Sequence, residues 1–104
     1  MSDEKRRSPR VSYLCEVACD MFPGDTPQTL RLSDISAGGA FIDSMAGLPI
    51  GACVALTFSA GAREVRVRAE VVQSMPQFGI GVRFLDLSEE DRAAIEQLVL
   101  EQGG

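Results

Sequence analysis

Histidine is absent from the chain, and so is tryptophan. Without an imidazole no Ser-His-Asp or Cys-His nucleophilic site can be assembled, and the commonest general base near neutral pH is missing. Cysteine is scarce, with three in 104 residues. Zinc would need a fourth ligand, and neither a histidine nor a Cys-x-x-Cys pair supplies one. Cys15 and Cys19 stand four apart in a segment that reads as strand. That spacing puts them on one face about 13 Å apart, beyond the roughly 7 Å a disulfide spans. Reduced cysteines packed as small hydrophobes are therefore expected, with no metal. Long apolar runs are missing too. Nothing approaches the ~18 residues of a membrane span, and the charged start Ser2-Asp3-Glu4-Lys5-Arg6-Arg7 is not followed by an apolar signal core. The expectation is a cytoplasmic protein without membrane insertion.

Two near-motifs fail for equally concrete reasons. Ser36 in Asp34-Ile35-Ser36-Ala37-Gly38 has the outline of a nucleophile elbow, but Asp occupies the first glycine position and no histidine exists to activate the serine. Gly79-Ile80-Gly81-Val82-Arg83-Phe84 begins like a dinucleotide fingerprint, departs at the sixth position, and reads as strand throughout. The chain is expected to be neither an enzyme nor a cofactor carrier.

What is present is a globular composition, 45% hydrophobic, of a length that makes one domain. Ten basic and fifteen acidic residues leave a net charge of −5, which argues against coating nucleic acid by bulk electrostatics. The distribution says more. Lys5, Arg6, Arg7 and Arg10 carry +4 within six positions, so the remainder carries −9 (−5 minus +4). An acidic body follows a basic arm. Nine of the ten bases are arginine, a bias that a GC-rich genome also produces. The guanidinium fork nonetheless suits bidentate acceptors and flat faces better than an ammonium does.

Residues 1–10 read as a mobile arm, and residues 11–104 as the domain. Val11, Tyr13, Cys15, Val17 and Cys19 alternate with polar positions, the period-two signature of a half-buried strand. Pro23-Gly24-Asp25 marks a loop. Leu30 and Leu32 make a second strand ending near Asp34, and Gly38-Gly39 turns the chain into Ala40-Phe41-Ile42. Val54, Leu56 and Phe58 alternate next. The clearest strand follows, with Val65, Val67, Ala69 and Val71 on one face and Arg66, Arg68 and Glu70 on the other. After Met75-Pro76-Gln77 come Phe78, Ile80, Val82 and Phe84, of which Phe78 reads as a core residue. Helical periodicity appears only over about 88–101, where Ser88 is a good N-cap and Ala94, Ile95, Leu98 and Val99 form one stripe. Glu89, Glu90, Asp91, Glu96 and Glu101 read as its solvated face. Six short strands and one helix predict a small antiparallel barrel, closed because closure hides edge strands, with the helix across it or plugging an opening.

Two patterns remain. Arg6-x-x-x-Arg10 lies just before the first strand, and Asp34-Ile35-Ser36-Ala37-Gly38-Gly39 contains Asp-x-Ser-x-x-Gly at the turn between the second and third. In this order, 23 residues apart, and with Gly79-Ile80-Gly81-Val82-Arg83-Phe84 before a terminal helix, the chain resembles the PilZ domain family over nearly its whole length. The resemblance implies a six-stranded antiparallel barrel with a terminal helix. It also implies a bacterial receptor for cyclic di-GMP, a ligand with two phosphate charges and two guanines.

The residues suit that ligand's chemistry. A guanidinium fits the guanine O6/N7 pair, a phosphate or a purine face, so Arg6 and Arg10 are expected to close over the ligand. Asp34 has acceptors only and suits the guanine N1-H/N2-H edge, where adenine offers no donors. Ser36 offers a hydroxyl, and Gly39, with Gly38 beside it, lets backbone approach without a Cβ. Lys5 and Arg7 are secondary candidates. Ordering of the arm over the barrel is expected to change the surface offered to a separate downstream effector, with motility or biofilm-related output. The alternative is a structural adaptor of the same fold that works through protein contacts alone. A single-strand nucleic-acid binder would need an exposed stacking platform, and one Tyr and five Phe, mostly in core parity, do not provide it.

Overall fold

The computed structural model describes residues 10–20, 28–45 and 47–103. Six strands and one helix follow each other as β1 (Val11–Asp20), β2 (Gln28–Ile35), β3 (Gly39–Asp43), β4 (Cys53–Ala60), β5 (Arg63–Met75), β6 (Gly79–Phe84) and α1 (Glu89–Gly103). All pairings are antiparallel, and the order β1-β2-β3-β6-β5-β4 closes on itself through β1 and β4. The expected barrel is therefore the observed one.

Closure follows from the alternation together with three irregularities. On β5, Val65, Val67, Ala69 and Val71 are buried while Arg66 and Arg68 face solvent. This longest strand pairs with β4 over Arg63–Glu70 and with β6 over Ala69–Met75, so its two ends serve different neighbours. The register shifts between Ser12 and Cys15, between Leu32 and Asp34, and between Val71 and Gln73. Such bulges bend a strand and increase its twist, which lets six short strands curl into a closed wall. Inside lie Val17, Leu32, Ile35, Ile42, Leu56 and Ile80, each essentially without solvent contact. Phe58 and Phe84 stack with ring centroids 6.2 Å apart.

The helix sits against β1, β4 and β5 and sends Ile95, Leu98 and Val99 into the same core. Ser88 caps it as expected, its Oγ accepting a hydrogen bond from the Asp91 amide at 3.1 Å. The helix runs on to Gly103, two residues past the expected end. Asp91 departs from the solvated acidic face predicted for it: it is buried and accepts a hydrogen bond from Arg63 Nε at 2.7 Å, tying α1 to the start of β5. Among the described residues no helix is long and apolar enough to cross a membrane.

Phe78 corrects a second expectation. Parity with Ile80 and Val82 placed it in the core, yet it is 68% exposed. The cause is the turn before β6. Phe78 N donates to Met75 O at 2.9 Å, and Gln77 takes a positive φ of 75°. Proline at the second turn position with a left-handed third residue is a type II turn, and strand alternation begins only at Gly79. Cys19 is buried, Cys15 half-buried and Cys53 exposed, all as free thiols, so only Cys53 departs from packed hydrophobe behaviour.

Candidate functional site

The β2–β3 hairpin turn is built by its own polar groups. Ser36 N donates to Gly39 O at 2.8 Å. The Ser36 hydroxyl accepts from Gly38 N and Gly39 N, each at 3.2 Å, and lies 3.4 Å from Gly39 O as donor. Ser36 is only 3% exposed. Its hydroxyl is thus engaged within the turn.

Gly39 likewise has a different reason for being glycine. A Cβ there would overlap the Val82 carbonyl oxygen and lie 3.2 Å from the Val82 carbonyl carbon. Close approach is needed, but to β6 and not to open solvent. Gly38 adds its carbonyl, which accepts from Phe84 N at 2.9 Å. In the Asp-x-Ser-x-x-Gly segment, serine and glycine hold the turn, and the aspartate is left to face outward.

Asp34 is the member with unspent capacity. It pairs across β1 with Ser12 and across β3 with Phe41. Arg10 Nη1 lies 3.3 Å from its Oδ1, with the arginine side chain half exposed. The oxygen is nevertheless buried and accepts no hydrogen bond. The other ion pairs are better formed. Asp43, Asp91, Asp86 and Glu70 each accept a hydrogen bond from their arginine, namely Arg31, Arg63, Arg68 and Arg83. The Arg68 backbone and side-chain donors also hold the Asp86 carboxyl below its ordinary pKa. Among the described residues only Asp20 Oδ1 shares the orphaned state of Asp34 Oδ1. A buried acceptor without a donor costs about 1–3 kcal/mol and marks a place where a ligand N–H would be welcome.

The structure therefore brings Arg10 and Asp34 together, with Ser36, Gly38 and Gly39 supporting the hairpin beneath them. Lys5, Arg6 and Arg7 lie outside the described residues. The register continues outward from Asp34 through Phe41 and Gly81 to Gln73, a single row across the outer wall of β2, β3, β6 and β5. Sequence reading did not single out Phe41 or Gln73. The signal available was Phe41 between inward-facing Ala40 and Ile42.

Among the described residues, a cleft lies beside this row that does not include Arg10 or Asp34. About 740 Å³ in volume, it is lined by Glu16, Leu30, Arg31, Asp43, Met45 and Phe78, among others. Its one ion pair, Arg31 Nε to Asp43 Oδ2 at 3.2 Å, is a formed hydrogen bond. Volume favours this cleft, but unmet bonding capacity favours the Asp34 row, and bonding capacity is what selects a polar ligand. Among the described residues no group of three or more His, Cys, Asp or Glu side chains could hold a metal ion.

Comparison with known proteins agrees with this architecture. The PilZ domain profile matches residues 4–101, and the chain belongs to that family. No curated protein sequence matches it. Among solved structures, the Bacillus subtilis inhibitor of motility (MotI/DgrA) superposes with a TM-score of 0.81 at 16% identity, over 94% of this chain and 51% of the other. This chain thus spans about half that protein's length. The PilZ domain of YcgR from Escherichia coli, solved with c-di-GMP, gives 0.71 at 16% identity over 95% and 92% of the two chains. The PilZ domain of CeSA from a cellulose-synthesizing bacterium gives 0.68 at 20% identity over 93% and 100%. At these identities the likeness is one of fold.

Proposed function

We propose that this PilZ domain is a receptor for cyclic di-GMP that acts through a separate effector protein and not as an enzyme. The observation that carries the reading is Asp34 Oδ1, buried, without a hydrogen-bond donor, and flanked by the Arg10 guanidinium. Asp34 takes the N1-H/N2-H edge of a guanine, because a carboxylate only accepts and that edge only donates. Arg10 turns from Asp34 towards a phosphate or the O6/N7 edge, where its fork makes two bonds. Arg6, four residues earlier on the same arm, is its partner in the clamp, with Lys5 and Arg7 as further phosphate contacts.

Closure of residues 1–10 over the ligand changes the face offered to the effector. The YcgR domain solved with c-di-GMP and the motility inhibitor MotI/DgrA share this fold, which supports the ligand class and favours a motility or biofilm-related output.

Calorimetric titration with cyclic di-GMP tests the proposal. Saturable heat, with a melting temperature that rises with ligand concentration, is expected, since a ligand that binds only the folded state stabilises it by mass action. Absence of both heat and shift would leave a structural adaptor that works through protein contacts alone.

A further inference from the structure

We propose that Phe41 is a stacking platform for one purine of the ligand, with Asp34 reading that base's edge. The inference rests on the cyclic di-GMP reading and names a binding residue outside its two sequence motifs. Ala40 and Ile42 are fully buried in the barrel, so Phe41 between them points to the outer wall. An aromatic ring there would ordinarily be lifted by the side chains of the neighbouring strand. Strand β6 instead presents Gly79 and Gly81 at its outward positions beside β3.

A Cβ at Gly79 would fall 2.6 Å from Phe41 Cε2 and 2.9 Å from Cζ, and one at Gly81 would sit 3.9 Å from Cδ1. The ring therefore lies across both glycines, held down on the wall and half-buried. The Gly79-x-Gly81 pattern, which fails as a dinucleotide fingerprint, is a shelf for this ring.

Opposite neighbours on regular antiparallel strands hold their Cβ atoms about 4.5–5.5 Å apart, and the pair that matters here follows directly on the register shift after Leu32. Asp34 is that neighbour of Phe41 on β2. A base lying on the ring thus has its edge within reach of the unsatisfied Asp34 oxygen. On the far side Gln73 lies over Gly81, its Oε1 3.2 Å from where a Cβ there would be. The row supplies a carboxylate, an aromatic face and an amide in the order a flat heterocycle would meet them. Stacking is indifferent to which base is present, whereas the carboxylate is not. Affinity and selectivity thus fall to different residues.

Titration of the full chain and its Phe41→Leu, Phe41→Tyr and Asp34→Asn variants with cyclic di-GMP and cyclic di-AMP tests this. Base-aromatic stacking corresponds to roughly 5- to 150-fold in affinity. Leucine keeps the apolar cover of Gly79 and Gly81, so Phe41→Leu is expected to bind cyclic di-GMP at least about fivefold more weakly with its preference over cyclic di-AMP intact. Phe41→Tyr, which keeps the ring, recovers most of that loss, and Asp34→Asn erodes the preference. On the parent protein, a guanine H8 resonance moves upfield on binding, a ring-current effect that a merely structural phenylalanine would not cause. Parent-like affinity in Phe41→Leu, or an unmoved H8, overturns the platform while leaving the receptor reading standing. A parent that binds neither dinucleotide overturns both.

Discussion

Replacing Gly39 by alanine separates two physical accounts of the same glycine. If its bare backbone served ligand approach, a methyl group would weaken binding and leave the barrel as stable as before. The structure assigns the space to β6: the new Cβ would overlap the Val82 carbonyl oxygen and stand 3.4 Å from Arg83 Cα. Both are backbone atoms of a paired strand, so no flexible side chain can yield. Relief requires β3 to move off β6 at the Gly39–Arg83 pair. That movement strains the Ser36 N to Gly39 O bond at 2.8 Å and the Phe84 N to Gly38 O bond at 2.9 Å. Overpacking costs about 1–3 kcal/mol and each weakened hydrogen bond up to about 1 kcal/mol. A loss of roughly 2–4 kcal/mol is expected, against a typical total of about 5–15 kcal/mol. Urea titration followed by circular dichroism measures it, and the melting temperature should fall by about 10 °C or more. Gly61→Ala is the control. Its Cβ meets nothing, but its φ of +64° still strains an L-residue, so a loss of about 1 kcal/mol is expected there. If Gly39→Ala unfolded within about 0.5 kcal/mol of the parent yet lost cyclic di-GMP, the packing account would be wrong and the ligand account right.

Arg10→Ala and Asp34→Ala are each expected to weaken cyclic di-GMP binding by about 1–3 kcal/mol in calorimetry. Asp34→Ala should at the same time leave the unliganded barrel as stable as the parent or about 1 kcal/mol more stable by urea titration, because an orphaned carboxylate is removed with an exposed ion pair worth little. Ser36→Ala should act the opposite way, losing about 1–2 kcal/mol of stability, since it strips the acceptor from two turn amides; parent-like stability would refute that role. Burial pushes the Cys19 thiol up to about 11 from 9.0 and raises that of Cys15. A raised acid pKa means the folded state holds the proton more tightly, so this stability is present below pH 9 and is lost as pH climbs towards 11. Melting temperatures across that window should fall more steeply in the parent than in Cys19→Val.

The barrel was legible in the sequence because period-two alternation runs through most of each strand and breaks only at the bulges. Val65, Val67, Ala69 and Val71 need no tertiary information to be placed inward. What escaped depended on contacts between segments distant in the chain. Phe78 shares the parity of Ile80, and only the left-handed Gln77 turns it outward. Asp91 looked like one more acid on a solvated helix until Arg63, 28 residues earlier, met it. Asp34, Ser36 and Gly39 stood out as a motif, but the packing that holds Ser36 and Gly39 did not. A sequence shows that serine and glycine follow aspartate; it does not show that Val82 fills the space above Gly39.

That packing explains why an unsatisfied carboxylate can persist at Asp34. An acceptor left without a donor would relax if its strand could twist or its side chain swing to solvent. The turn immediately after it prevents the first, because Ser36 and Gly39 lock β2 to β3 through the Ser36 hydroxyl. Against the second stands the Arg10 guanidinium, 3.3 Å from Oδ1. Stability gained in the buried turn thus offsets a local deficit held two residues away. In the receptor proposed above, Asp34 itself needs no rearrangement to meet an incoming N–H group, and the movement on binding falls to Arg10.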